Sequence, residues 1–180
     1  MIARFLVAFA CLSAAAGSSQ QPSPPGAAAR LGLPPVAALP AVTAAEIAKA
    51  KVSAGIREVA GIHRVLPASA WKKGRWTKLK DGTSLWRLAI RSPGAAGLRL
   101  HFQDFQAGAG IVWVYGGQPD QPGSSGPFSG QGLWENGDFW TGVVESELVI
   151  VEYKADRPNA SRRSLPFRLT EISHLWRGVP

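Results

Sequence analysis

The chain has 180 residues, of which 20 are basic and 12 are acidic, giving a formal net charge of +8. Its single cysteine, Cys11, lies in an N-terminal leader, so the mature chain is expected to have no disulfide, zinc knuckle, iron–sulfur cluster or thiol nucleophile. The charges are scattered along the chain, which favours a solvated basic surface over a nucleic-acid-binding patch.

Residues 1–16 have the features of a signal peptide. Arg4 precedes a short apolar stretch, and Ala14 and Ala16 form a small–x–small cleavage site. The apolar stretch is shorter than the roughly 20 residues that cross a bilayer. We therefore expect a secreted or periplasmic protein with no membrane attachment after cleavage. A lipoprotein anchored at Cys11 is the less favoured alternative.

Two segments with different compositions follow the leader. Residues 17–42 are rich in Pro, Ala, Gly and Ser, which predicts an extended linker that buries no core. Residues 43–55 are predicted to be a short helix, because Thr43 and Glu46 have the spacing of a capping box and Gly55 is a suitable stop.

Residues 56–180 show the pattern of an all-β domain, with short alternating segments separated by turn signals. The segments with strand composition are residues 85–91, 98–103, 111–115, 139–144, 148–153 and 167–175. Residues 118–126 are interpreted as a loop. The predicted fold class is all-β, a β-sandwich or jelly-roll-like domain with one short N-terminal helix.

The clearest turn is Asp81-Gly82, which predicts a type I′ hairpin with a two-residue loop. This register places Trp76 opposite Arg87, where the two would form a cation–π pair. Lys78 lies on the same face of its strand as Trp76. Trp76, Lys78 and Arg87 are therefore a candidate contact surface.

The chain has seven tryptophans, a large number for its size. Trp86 and Trp113 lie within predicted strands, so we expect them in the core. Trp134 and Trp140 lie near turns, where an exposed indole can stack on a sugar. These two residues are a candidate ligand platform.

The sequence offers no catalytic candidates. None of the three histidines, His63, His101 and His174, has a recognisable nucleophile and orienting carboxylate to complete a triad, and no two have metal-ligand spacing. We interpret them as solvated or packing residues. His101 is expected to point outward from its strand. No enzyme activity and no cofactor are expected.

Loop acids are the remaining candidates for chemistry. Asp104, Glu135 and Asp138 lie near strand ends and are expected to cap turns. With Asn136 they could alternatively supply oxygen ligands to Ca²⁺. We expect no metal site.

Many segments along the domain occur in the order seen in a known family. They include Gly74-Arg75-Trp76, Asp81-Gly82, Leu85-Trp86-Arg87-Leu88, Ser92-Pro93-Gly94-Ala95, Gly97-Leu98-Arg99-Leu100-His101-Phe102, Val112-Trp113-Val114-Tyr115, Gly126-Pro127-Phe128, Gly137-Asp138-Phe139-Trp140-Thr141, Ile150-Val151-Glu152-Tyr153 and Pro166-Phe167-Arg168. In this order they resemble the N-terminal region of secreted bacterial trypsin-like serine proteases of the lysyl endopeptidase type. The resemblance covers roughly residues 55–176.

The resemblance implies a non-catalytic β-sandwich, a pro-region or accessory domain that precedes a protease domain. The Gly-Asp-Ser-Gly-Gly segment that presents a trypsin-like serine does not occur here, so protease activity is not carried over. We expect either a free-standing domain or the front half of an interrupted protease gene.

The expected function is protein contact: assisting the folding of a serine protease domain, inhibiting it or docking it, with another extracellular protein as a further candidate partner. The alternative is a carbohydrate- or cell-surface-binding module that holds polysaccharide on Trp134 and Trp140. Nucleic acid is not an expected partner, because export separates the protein from it.

Overall fold

The computed structural model describes residues 23–54, 58–117, 123–156 and 165–177. The described helices are α1 (Pro25–Ala28), α2 (Ala44–Ala54) and α3 (Ala68–Trp71). The described strands are β1 (Val36–Ala38), β2 (Gly61–Val65), β3 (Arg75–Lys78), β4 (Ser84–Arg91), β5 (Gly97–Gln103), β6 (Gly108–Gly116), β7 (Ser124–Gly130), β8 (Phe139–Trp140), β9 (Leu148–Lys154) and β10 (Arg168–Leu175). The predicted signal peptide lies outside the described residues.

The strands form two sheets, which confirms the all-β sandwich. The first sheet has the order β1-β4-β9-β6-β7, and β3 also pairs with β4. The second has the order β2-β10-β5-β8. In the centre of the first sheet β4 and β6 both run antiparallel to β9. No helix among the described residues is long and apolar enough to cross a membrane.

The core lies between the inner faces of the two sheets. From the first sheet it receives Trp86, Leu88 and Ile90, which alternate along β4 as the period of a strand requires. From the second it receives Leu98, Leu100 and Phe102 of β5. Aromatic rings fill much of the space between them, in contacts that join Phe102, Phe105, Phe128, Phe139 and Phe167.

Several sequence predictions of single elements are confirmed. Helix α2 begins after Thr43, whose hydroxyl accepts a hydrogen bond from the Glu46 N–H at 3.2 Å, while the Glu46 carboxylate accepts one from the Thr43 N–H at 2.8 Å. Strands β4, β5, β6, β9 and β10 lie where the sequence predicted strands.

Other strand predictions need correction. The strand expected over residues 139–144 is shorter, since β8 ends at Trp140 and only an isolated bridge joins Val144 to Leu98. Strand β7 lies partly within the predicted loop 118–126. Its Ser, Gly and Pro content is typical of loops, and its strand conformation depends on pairing with β6.

The segment predicted to be a linker is largely part of the fold. Residues 17–22 lie outside the described residues, but residues 25–38, here called the strap, lie against the first sheet. Strand β1 pairs in parallel with β4, so that Ala37 lies opposite Ile90 and is only 2% exposed. The backbone continues this pairing on both sides, because the Ala89 N–H donates to the Pro35 carbonyl and the Leu39 N–H donates to the Arg91 carbonyl. Composition missed the strap because its partner is distant in sequence.

The hairpin between β3 and β4 has a different register from the predicted one. The Gly82 N–H donates to the Leu79 carbonyl and the Leu79 N–H donates to Thr83, so the loop has three residues. Only Gly82 adopts positive φ, at 85°, as in a type I turn that ends in a glycine bulge. The extra loop residue shifts the register by one and places Trp76 opposite Trp86.

Candidate functional site

The structure separates the three residues of the predicted contact surface. Arg87 lies opposite Arg75 and is 6% exposed. Trp76 packs on the core, with its ring edge-on to Tyr153 at 5.9 Å. Only Lys78 is exposed. The predicted cation–π pair between Trp76 and Arg87 is therefore wrong, because the one-residue shift turns the two side chains to opposite faces of the sheet.

Arg87 instead forms a buried ion pair on the outer face of the first sheet. Its Nε lies 3.1 Å from Oε2 of Glu152, and the two side chains are 7% and 0% exposed. The Nε–H is not aligned for a hydrogen bond, so this contact is ionic. The Tyr115 hydroxyl donates to the same carboxylate oxygen at 2.8 Å. Burial and the nearby Glu152 carboxylate raise the pKa of Tyr115.

The strap supplies the remaining hydrogen bonds of this ion pair. The Gly26 N–H donates to Oε1 of Glu152 at 2.7 Å, and Nη1 of Arg87 donates to the Gly32 carbonyl at 3.0 Å. Buried charges are costly unless such partners satisfy them. The ion pair and the backbone of the strap therefore form one unit, here called the strap lock. The sequence signal for it was weak: one acid and one base within otherwise apolar central strands.

The outer face of the second sheet carries a different cluster, built around Trp140. His101 stacks on the Trp140 indole with ring centroids 4.7 Å apart and planes 4° apart. His63 approaches the same ring at 4.6 Å, and the Arg99 guanidinium lies 5.8 Å from its centroid. His101 points to the outer face as expected, yet its side chain is only 13% exposed. Because His101 covers part of Trp140, that ring is not an open ligand platform.

Hydrogen bonds fix this cluster to the neighbouring strands. Nε2 of His101 lies 2.7 Å from Oδ1 of Asp138, and Gln103 donates to the other carboxylate oxygen at 3.2 Å. The hydrogen bond with His101 lowers the pKa of Asp138. Nδ1 of His101 lies 3.2 Å from the Thr170 hydroxyl and 3.5 Å from the Glu171 carboxylate. The cluster therefore holds β5, β8 and β10 in register.

Trp134, the other predicted platform residue, is the most exposed tryptophan among the described residues. It is 74% exposed, and Leu133 beside it is 49% exposed. Both lie in the connection between β7 and β8, apart from the Trp140 cluster on the sheet face. Ligand binding by Trp134 stays a prediction.

A buried serine–histidine pair links the two sheets. The Ser92 hydroxyl lies 2.8 Å from Nδ1 of His174, and Arg64 donates to the same hydroxyl at 3.1 Å. Ser92 is 0% exposed and His174 is 2% exposed, so no substrate carbonyl can reach this hydroxyl. Burial lowers the pKa of His174. The geometry is that of a structural link between the turn after β4 and strand β10.

The loop acids are engaged mainly in local contacts. The Asp104 carboxylate lies 2.6 Å from Nε of Arg168, and the Asn136 side-chain oxygen accepts from the Asp138 N–H at 3.0 Å. Within the part of the chain that the structure describes, no group of three or more His, Cys, Asp or Glu side chains is arranged to hold a metal ion. Turn capping describes the Asn136–Asp138 contact better than calcium binding does.

The comparisons with known proteins place this fold in context. A family model described as the lysyl endopeptidase N-terminal domain matches residues 30–176. Searches of curated proteins and of solved structures found no match. The matched range begins within the strap and ends after β10, so it includes both sheets. The match confirms the resemblance seen in the sequence and extends it N-terminally from about residue 55 to residue 30.

Proposed function

Because the chain belongs to the family of lysyl endopeptidase N-terminal domains, we propose that it is a non-catalytic accessory or pro-domain that binds a trypsin-like serine protease domain. The family match carries this proposal, since it extends over nearly the whole described fold. Contact is the proposed mechanism: the domain assists folding of the protease, inhibits it or docks it. The Lys78 end of the β3–β4 hairpin and the Trp134 loop are its candidate surfaces.

Two structural features support a binding role. The buried polar groups that most resemble a catalytic pair, Ser92 and His174, are inaccessible. The largest exposed apolar side chain near a loop apex, Trp134, is available to a partner. A surface tryptophan of this kind is typical of residues that dominate binding energy in protein interfaces.

We propose that the domain acts outside the cytoplasm. The N-terminal 16 residues have the pattern of a cleaved signal peptide, and the family belongs to a type of secreted protease. Mass spectrometry of the protein recovered from a bacterial periplasm or culture medium tests this directly. We expect an N-terminus at residue 17; an intact Met1 in the exported fraction would contradict cleavage.

The binding proposal is tested with a lysyl endopeptidase catalytic domain whose nucleophilic serine is replaced by alanine, so that it cannot cleave the lysines of this chain. Calorimetric titration with the leaderless chain is expected to give saturable binding with a dissociation constant of about 1 µM or tighter. A serine-to-alanine subtilisin, which has an unrelated fold, is the specificity control. Absence of binding to the lysyl endopeptidase domain would overturn the proposal.

Polysaccharide binding remains the alternative function. One observation favours it, the exposed indole of Trp134. The other predicted platform residue, Trp140, is partly covered because His101 stacks on its ring. A titration of intrinsic tryptophan fluorescence with soluble polysaccharides tests it. A saturable change that Trp134→Ala abolishes would support this function, and a flat response would exclude it for the polysaccharides used.

A further inference from the structure

The connection between β7 and β8 is a hydrogen-bonded loop that displays two apolar side chains. Residues 131–137, here called the tryptophan loop, are closed by a hydrogen bond from the Gly137 N–H to the Gln131 carbonyl at 3.0 Å. The loop is tied to the core because the Phe105 N–H donates to the Gly137 carbonyl at 3.0 Å. Leu133 and Trp134 lie near its apex and are largely exposed.

Glycines allow both ends of the loop to pack closely on the core. Gly132 has φ 85°, and a Cβ there would lie 2.1 Å from the ring of Phe139. Gly137 has φ 75°, and its Cβ would lie 3.3 Å from the backbone of Phe105. The loop backbone therefore packs closely on the core at both ends, where a larger residue would not fit.

The charges around the loop are acidic, although the whole chain is basic. Glu135 is exposed beside Trp134. The side chains of Asp138 and Asp104, which flank the base of the loop, are 55% and 69% exposed. The Arg168 guanidinium compensates the charge of Asp104, so the acidic rim of the loop consists of Glu135 and Asp138. An apolar apex with an acidic rim is complementary to an apolar pocket bordered by basic side chains.

We propose that the tryptophan loop is the surface that docks the protease domain, with Trp134 entering an apolar pocket bordered by Lys or Arg side chains of that domain. This inference rests on the proposed function and adds the surface to it. Leu133 favours a protein over a polysaccharide, because its side chain has no hydrogen-bonding group for sugar hydroxyls.

The experiment compares four variants of the leaderless chain against the serine-to-alanine lysyl endopeptidase domain. Trp134→Ala removes the exposed indole near the apex of the loop, and Glu135→Lys reverses one negative charge of the acidic rim. Their matched controls are Val65→Ala, an apolar residue that is 71% exposed on β2, and Glu145→Lys, an exposed acid next to Gly97 at the other end of β5. Thermal unfolding of each variant shows that it is folded, which is expected because all four side chains are exposed.

The expected result is a loss of affinity of at least tenfold for Trp134→Ala and of about threefold to tenfold for Glu135→Lys, larger at low salt. The controls are expected to stay within twofold of the parent chain. If the parent binds and Trp134→Ala binds equally well, the docking surface is wrong and the proposed function stands. If the parent does not bind the protease domain, both proposals fail. Binding of polysaccharide alone through Trp134 would assign the loop to the alternative function.

Discussion

At the scale of single residues, one glycine determines whether the strap can lie on the first sheet. The Gly26 N–H donates to Glu152, and a Cβ at Gly26 would lie 2.1 Å from Oε2 of Glu152 and 2.9 Å from Nε of Arg87. Any side chain at position 26 would therefore separate the strap from the ion pair. A buried carboxylate that loses such a donor is left under-satisfied, which is costly in a medium of low polarity.

Gly26→Ala is predicted to lower the free energy of unfolding by about 2–4 kcal/mol, because the clash breaks a buried charged hydrogen bond. Gly32→Ala is the matched control, since a Cβ at Gly32 has no atom within 4 Å. It is expected to change stability by no more than about 0.5 kcal/mol. Urea denaturation followed by tryptophan fluorescence measures both. Equal effects of the two substitutions would contradict the strap lock.

At the scale of elements, the strap contributes the edge strand β1, whose conformation depends on β4. Strand β1 has only three residues, too few to be stable alone, and pairs with β4 from Ala89 to Arg91. Strand β3 pairs with the first half of β4, from Ser84 to Arg87. The two short strands thus lie one after the other along the same edge. Together they cover an edge that would otherwise present unpaired backbone groups.

A chain that begins at residue 40 is predicted to be less stable than one that begins at residue 23 by several kcal/mol. The deletion removes the pairing of β1 and both strap hydrogen bonds of the Arg87–Glu152 pair. Thermal unfolding with circular dichroism measures the difference. The chain that begins at residue 23 is the reference, because it keeps the whole strap. Equal transition temperatures for both truncations would show that the strap contributes nothing to the fold.

The β3–β4 hairpin depends on a left-handed residue in its three-residue loop. Gly82→Ala is predicted to destabilise the chain by about 1 kcal/mol through backbone strain alone, because no atom lies near the position of the added Cβ. Gly82→Asn is the comparison, and its cost is expected to be smaller because asparagine tolerates positive φ. Denaturation curves of the two variants test the order. An alanine variant as stable as the parent would contradict the assigned turn.

At the scale of the whole molecule, the two sheets are joined by polar contacts as well as by the aromatic core. Ser92 follows β4 of the first sheet and is hydrogen-bonded to His174 on β10 of the second. Arg64 of β2 donates both to Ser92 and to the Pro40 carbonyl, which follows the strap. The hydrogen bonds among Ser92, His174 and Arg64 therefore connect both sheets with the N-terminal segment. Because His174 is buried between them, its protonation is coupled to global unfolding.

The stability of the whole domain is predicted to fall as the pH drops below about 6.5. Burial lowers the pKa of His174 in the folded state below the ordinary value of 6.5. The unfolded chain therefore takes up a proton that the folded chain excludes, and the free energy of unfolding decreases by up to about 1.4 kcal/mol per pH unit until the folded pKa is reached. Urea denaturation between pH 5 and 8 measures this slope.

Two histidine variants separate this effect from other titrations. His174→Gln is expected to flatten the slope, whereas His63→Gln, a change at an exposed position, is expected to retain it. Work above pH 5 avoids the carboxylates of Asp138 and Glu147, whose pKa values their hydrogen-bond donors lower. A slope that survives in His174→Gln would assign the pH dependence to another group.

Local sequence patterns determined the fold class, most of the strands and the helix at residue 44. Alternation identified β4 and β5 because one face of each strand packs on the apolar core between the sheets. A capping box identifies a helix start because its hydrogen bonds are local. The order of many short matching segments was also sufficient to indicate the family. Such signals are carried by residues close in sequence or by many weak matches together.

Only the tertiary structure determined the position of the strap, the register of the β3–β4 hairpin and the burial of the predicted site residues. The strap is held by Glu152 and Arg87, which lie far from it in sequence, so composition could not distinguish it from a linker. The register of β3 depended on whether Asp81-Gly82 closed a two- or a three-residue loop, and one residue of shift placed Trp76 opposite Trp86, on the core side of the sheet. Arg87 is buried because the strap and Glu152 lie against it. Exposure is likewise a property of the whole fold. Trp134 and Trp140 both lie near turns in the sequence, yet His101 covers the ring of Trp140 while Trp134 stays exposed.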